Sequence, residues 1–166
     1  MQEFMLVTTT QHSKESIMDL NEKDTIKMKG ELDIVVRDHS GNIKETRHIP
    51  NLVVTAGKNY IASRMVGTAS SIMSHMAIGT GTTTPAVGDT TLTTEAGRVA
   101  LGSGTNSNNQ VTYTATFNAG TGTGAITEAG VFNANSGGTM LCRTTFPVVN
   151  KAAGDSIAVT WVVTVS

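Results

Sequence analysis

Short segments in which apolar and polar residues alternate recur through most of the chain, and turn-forming residues separate them. Residues 30–37 place Leu32, Ile34 and Val36 on one face, and residues 111–117 alternate in the same way. A period of two predicts strands with one buried face. Such strands, repeated at roughly 8–12 residues, are typical of a sandwich. We therefore expect an all-β, antiparallel β-sandwich or jelly-roll-like domain.

The same reading places one short helix among the strands. Thr55 is predicted as its N-cap and Gly67 as the glycine that follows its last turn. Residues 103–109 are rich in Ser, Gly and Asn and are predicted to form a polar turn. The other predicted strands span residues 43–49, 72–79, 98–101, 125–132, 139–149 and 156–165.

Composition limits the class of partner. The chain has 166 residues, one domain's worth, and a net charge of −1. This balance argues against a dedicated nucleic-acid binder, since no basic excess would neutralise phosphates. No apolar run approaches the ~18 residues of a membrane span. The single cysteine, Cys142, suits a reducing compartment.

The two parts of the chain differ in character. Residues 51–166 carry 22 of the 27 threonines and 15 of the 17 glycines, but only 9 of the 25 charged residues. Threonine favours strands and glycine favours tight turns. We expect a neutral, hydroxyl-rich surface, of a kind often covered by other subunits in an assembly.

Residues 1–29 show no sustained period and are predicted to form an extended N-terminal arm, followed by the domain at residues 30–166. Fully extended, the arm would reach about 95 Å, against about 40 Å for the domain. A frayed terminus is the alternative interpretation. The arm is unusually apolar for a solvated tail, which favours a partner-binding role for Phe4, Met5, Leu6, Val7, Ile17, Met18 and Leu20.

Glu128 is the most unusual acidic residue, because it lies inside the apolar segment 125–132. A buried carboxylate needs a partner. Arg98 and Arg143 are the candidate cations, and Arg143 lies on the next predicted strand. We favour a structural ion pair over a catalytic acid, since no second acid is expected close enough for paired-carboxylate chemistry.

Sequence motifs for catalysis are weak. The chain has no G-x-S-x-G nucleophile elbow, and the glycines at 120, 122 and 124 precede a strand rather than a helix. His39 and His48 could form a metal site with Asp33 or Glu45, but exposed hairpin residues are the favoured interpretation. We expect no catalytic residues, no metal and no cofactor.

Four segments carry a resemblance to a known class of protein. They are residues 51–59 (NLVVTAGKN), 76–90 (MAIGTGTTTPAVGDT), 126–133 (ITEAGVFN) and 146–155 (FPVVNKAAGD), with the closing strand around 159–161 (VTW). Together they resemble a β-sandwich domain of tailed-bacteriophage virion proteins, which include capsid cement (decoration) proteins and small tail- or fibre-associated proteins. The resemblance covers about residues 30–166.

The resemblance implies a non-enzymatic virion protein. It implies binding to the outer surface of the major capsid protein lattice and self-association as a homotrimer or homodimer. The chain would then be made in the bacterial host cytoplasm and incorporated on the capsid exterior, with no nucleic-acid or membrane partner. A compact domain without a shaft of repeats favours the head. A tail, baseplate or fibre-adaptor role is the alternative.

A carbohydrate-binding or hydrolytic β-domain is a third hypothesis, from a different functional class. A glycan site usually needs exposed aromatic side chains. Phe117, Phe132, Phe146 and Trp161 fall on predicted strands and are expected in the core. Only Phe4, Tyr60 and Tyr113 then remain, which makes this hypothesis the weakest of the three.

Overall fold

The computed structural model describes residues 25–68 and 71–166. Within these residues it contains nine strands and one helix. In chain order they are β1 (Met28–Arg37), β2 (Ile43–Val53), α1 (Thr55–Met65), β3 (His75–Gly79), β4 (Glu95–Ala100), β5 (Ser103–Ser107), β6 (Gln110–Phe117), β7 (Gly124–Phe132), β8 (Met140–Lys151) and β9 (Ser156–Val165).

All the strands belong to one curled antiparallel sheet with the order β4-β3-β7-β8-β2-β1-β9-β6-β5. β2 joins its two halves, because residues 43–51 pair with β1 and Leu52 and Val53 pair with β8. The strands at the two ends of this order are consecutive in the chain, joined only by Leu101 and Gly102. The all-β antiparallel class with one short helix is confirmed.

The core lies inside the curl and follows the predicted alternation. Leu32, Ile34 and Val36 of β1 are buried, and they pair in register with Trp161, Val159 and Ile157 of β9. Burying each large apolar side chain contributes about 1.5–3 kcal/mol. The four aromatic residues expected in the core, Phe117, Phe132, Phe146 and Trp161, are confirmed as buried.

The predicted turn at residues 103–109 is wrong, because residues 103–107 form β5. All five residues of this strand are exposed, so the sequence shows no alternation between a buried and an exposed face. The turn is shorter than predicted and contains Asn108 at a φ of 51°, a conformation that asparagine tolerates better than most residues.

Helix α1 packs on β8 through a glycine. A Cβ atom at Gly57 would overlap the carbonyl oxygen of Leu141, so the close approach depends on glycine. The predicted N-cap is wrong by one residue: Val54 occupies that position and makes no side-chain capping bond. Gly67 follows the helix with a φ of 70°, as expected for a glycine there.

The N-terminal boundary differs slightly from the predicted one. β1 begins at Met28, two residues before the predicted domain start, and Lys27 already exchanges backbone hydrogen bonds with Ser166. Residues 25–29, assigned to the arm from the sequence, therefore include the beginning of the sheet. The seven apolar arm residues listed above lie outside the described residues.

Candidate functional site

A buried ion pair between Glu128 and Arg143 joins two neighbouring strands. Glu128 lies on β7 and Arg143 on β8, and their side chains are 0% and 1% exposed. Arg143 Nη2 is 2.9 Å from Glu128 Oε2, and Nε donates a second hydrogen bond to the same oxygen over 3.2 Å. Two donors on a planar guanidinium fix the geometry as well as the charge.

The Glu128 carboxylate also holds the long loop between β3 and β4, residues 80–94. Oε1 accepts hydrogen bonds from the backbone N–H groups of Gly81 (3.0 Å) and Thr94 (2.7 Å), and Oε2 accepts one from Thr93 (2.9 Å). Because both oxygens have donors, the buried charge is compensated by the loop as well as by Arg143. The loop thereby acquires a defined conformation without forming a helix or strand.

Arg143 also contacts the same loop, through both Nη1 and Nη2. Nη1 donates to Asp89 Oδ2 over 2.5 Å, and Nη2 donates to Thr83 O over 3.0 Å and to Thr93 Oγ1 over 2.7 Å. Asp89 Oδ2 also accepts the backbone N–H of Ala86, and this bond, with help from Arg143, lowers the pKa of Asp89. One arginine thus serves two carboxylates and a backbone carbonyl. We call Glu128, Arg143 and Asp89 the carboxylate clamp.

Two glycines make room for the carboxylate clamp. A Cβ at Gly79 would lie 2.7 Å from Glu128 Oε1, and a Cβ at Gly81 would overlap the same oxygen. The clamp therefore connects residues 76–90 with residues 126–133. The glycines of the first segment leave space for the buried acid of the second, so one structural unit explains both features.

Arg98 is not a partner of Glu128, and its inclusion in the predicted ion pair is wrong. It pairs with Glu95 over 2.6 Å, and its guanidinium carbon lies 3.7 Å from the centre of the Phe132 ring. It also donates to the carbonyl oxygens of Ala134 and Gly137. β4, which carries Arg98, is the end strand of the sheet next to β3. There the Arg98 side chain bonds to the β7–β8 turn and not to the clamp.

Asp89 was not predicted from the sequence as a member of the clamp, nor were Thr83 and Thr93 predicted as acceptors of Arg143. Asp89 was detectable in principle, since it is one of only nine charged residues after position 50 and lies in an otherwise neutral loop. The clamp places this second acid near Glu128, but Arg143 bonds to both carboxylates. This arrangement suits a structural role, because every carboxylate oxygen of Glu128 already accepts hydrogen bonds.

The histidine pair considered as a metal site does not assemble. His48 Nδ1 lies 2.7 Å from Asp33 Oδ1 on the exposed face of the β1–β2 hairpin, and this contact raises the pKa of His48. His39 lies in the turn of the hairpin, five or more residues along the strand from that pair. In residues 25–68 and 71–166, no group of three or more His, Cys, Asp or Glu residues is placed to hold a metal ion.

An exposed apolar groove lies between α1 and the start of β1. Its volume is about 530 Å³. Ile26 and Met65, exposed to 73% and 76%, form its rim. Helix α1 uses only part of its apolar surface in the core: Tyr60 and Ile61 pack against the core, while Met65 does not. The groove is completed by Lys27, Met28, Lys58 and Ala62.

The outer edge of β5 is a second exposed feature. Among the described strands, β5 pairs only with β6, so its other edge has no partner strand. Its sequence, Ser-Gly-Thr-Asn-Ser, contains no charge and no proline, the two common means of protecting an edge. A cavity of about 400 Å³ lies between the β5–β6 hairpin and α1, lined in part by Tyr60, Ile72 and Tyr113.

Comparisons with known proteins identify no relative: no family model, curated protein or solved structure matches the chain. Within the part of the chain that the structure describes, no helix is long and apolar enough to cross a membrane.

Proposed function

We propose that this chain is a non-enzymatic structural protein of a tailed-bacteriophage virion, a capsid cement (decoration) protein on the outer surface of the major capsid protein lattice. Its arm and its contacts with further copies, as a homotrimer or homodimer, would stabilise the head. The resemblance of residues 30–166 to virion domains and the neutral, threonine-rich composition support this proposal.

The open edge of β5 is the structural observation that carries the proposal. An extended peptide can add to such an edge, gaining main-chain hydrogen bonds while alternate side chains enter neighbouring pockets. The cavity between the β5–β6 hairpin and α1, which Thr105 of β5 also lines, offers apolar contacts at Ile72 and Tyr113 for such side chains. Residues 4–7 (Phe-Met-Leu-Val) are apolar in sequence, and we propose that they add as a strand to a neighbour's edge.

Multivalency explains how weak contacts of this kind would hold a shell. When one copy contacts several neighbours, each later contact becomes intramolecular, and the contacts sum to a stable lattice. The carboxylate clamp contributes by fixing the loop at residues 80–94, so less conformational entropy is lost when that surface is covered.

Binding to purified capsid shells that lack the protein tests this function. The full chain should bind, and a variant lacking residues 2–12 should fold but not bind, because it lacks residues 4–7. Thr105→Lys on the open edge should weaken binding, since a charged side chain disfavours strand addition. Thr160→Lys, at an exposed residue of β9 that pairs with β1 on one side and β6 on the other, is the matched control and should bind normally. Full binding by the truncated variant would contradict the arm mechanism.

A tail, baseplate or fibre-adaptor protein is the alternative function, favoured by the same resemblance. The number of copies per virion distinguishes the head protein from the tail protein. A copy number close to that of the major capsid protein supports the head, and one typical of a tail component supports the alternative.

A further inference from the structure

The groove between α1 and β1 lies where the N-terminal segment joins the domain, since Ile26 and Lys27 line it and Thr25 precedes them. Ile26 and Met65 are large apolar side chains that are mostly exposed on its rim. We propose that this groove binds residues 17–20 (Ile-Met-Asp-Leu) of the same chain. The inference goes beyond the proposed function and concerns the isolated protein, so it does not depend on capsid binding.

Charge complementarity supports this occupant. Lys27 and Lys58 flank the apolar floor, and within the described residues neither forms an ion pair. Residues 13–24 contain four acidic residues and only two lysines. Two of the acidic residues, one of them Asp19, precede Leu20 and two follow it. The segment thus carries an excess of negative charge around its three apolar side chains. At the short distances within a groove, this attraction is only partly screened by salt.

Chain length supports binding within one molecule. Five residues lie between Leu20 and Ile26, so the two Cα atoms can be at most about 20 Å apart. This is enough for a return to a groove that begins at Ile26, with Asn21 and Asp24 available for a turn. A short tether also gives a high effective concentration, in the millimolar range, so a weak site is occupied.

The consequence for assembly is that the arm would start from a fixed point. With residues 17–20 held on the domain, residues 4–7 are tethered by residues 8–16, which reach about 35 Å when extended. Their search volume is then smaller than that of an arm anchored only at Lys27, and the cost of ordering them on a neighbour falls.

Hydrogen exchange of the isolated full-length protein tests the docking. The amides of residues 17–20 should exchange slowly, and Met65→Glu should abolish this protection by adding negative charge to the rim. Met65 is exposed within the described residues and is not part of the core, so the variant should still fold. Val87→Glu places the same change at another exposed apolar residue and should leave the protection intact. Fast exchange in the wild type, or protection that survives Met65→Glu, would overturn the inference.

Disulfide trapping distinguishes one molecule from two. Met18→Cys combined with Ala62→Cys, on the groove, should form an intramolecular disulfide, while Met18→Cys combined with Val87→Cys should not. The native Cys142 is fully buried and does not compete. Disulfide-linked dimers from the groove pair would show that a second copy occupies the groove and would contradict docking within the chain.

Discussion

Arg143 Nη2 lies 2.9 Å from Glu128 Oε2, and both side chains are removed from solvent. The pair joins β7 and β8, which are neighbouring strands inside the sheet, and it extends through Asp89 into the loop at residues 80–94. The clamp therefore links the stability of the sheet to the conformation of an exposed loop.

Glu128→Gln should destabilise the domain strongly. The substitution leaves the Arg143 charge buried opposite a neutral amide. It also replaces one carboxylate oxygen, which accepts hydrogen bonds from loop N–H groups, with an NH2 group that can only donate. Removing one partner of a buried ion pair costs about 3–5 kcal/mol. Chemical denaturation measures this loss. Glu95→Gln, in the more exposed pair with Arg98, is the matched control and should cost about 1 kcal/mol or less. Equal stabilities for the two variants would refute the clamp.

Arg143→Lys should release the loop more than it unfolds the sheet. Lysine keeps the charge, but its single ammonium group cannot reach Glu128, Asp89 and Thr83 together. We expect faster hydrogen exchange at the amides of Gly81, Thr93 and Thr94, which the clamp protects. Arg37→Lys, in the exposed β1–β2 hairpin, should leave these amides unchanged. Unaltered exchange in Arg143→Lys would mean that charge alone holds the loop.

Asp89 should account for a measurable part of the stability that the domain loses at low pH. Its hydrogen bond from Ala86 and its pairing with Arg143 lower its pKa in the folded state. Its stabilisation is therefore complete above the unfolded-state pKa of about 3.9 and is lost as the pH falls through the lower folded-state value. The free energy of unfolding, measured from pH 7 down to pH 2, should fall less steeply in Asp89→Asn than in the wild type. Parallel curves would show that the folded state does not perturb Asp89.

Gly57→Ala tests the packing of α1. In an isolated helix, alanine is better than glycine by about 1 kcal/mol. Here the added methyl group would overlap the Leu141 carbonyl, so the helix should move away from β8 and the melting temperature should fall. Gly88→Ala is the control, because a Cβ at that position meets no atom within 4 Å. A more stable Gly57→Ala variant would contradict the close helix–strand contact.

The elements with one buried face were predictable, and those without one were not. β1 and β9 show the alternation that their shared core imposes on Leu32 and Trp161. β5 has no buried face, so its strand state depends on pairing with β6, which local sequence does not reveal. Glu128 could be recognised from its apolar surroundings, but its choice of Arg143 over Arg98 depends on tertiary geometry. Asp89 reaches Arg143 because of the path of its loop, and that path cannot be predicted from the local sequence.

Electron cryo-microscopy of the intact virion tests the central claim most directly. We predict the domain on the outside of the head, in a copy number close to that of the major capsid protein, with residues 4–7 lying on a neighbouring subunit. Density confined to the tail, or an N-terminal segment that contacts only its own domain, would contradict the account.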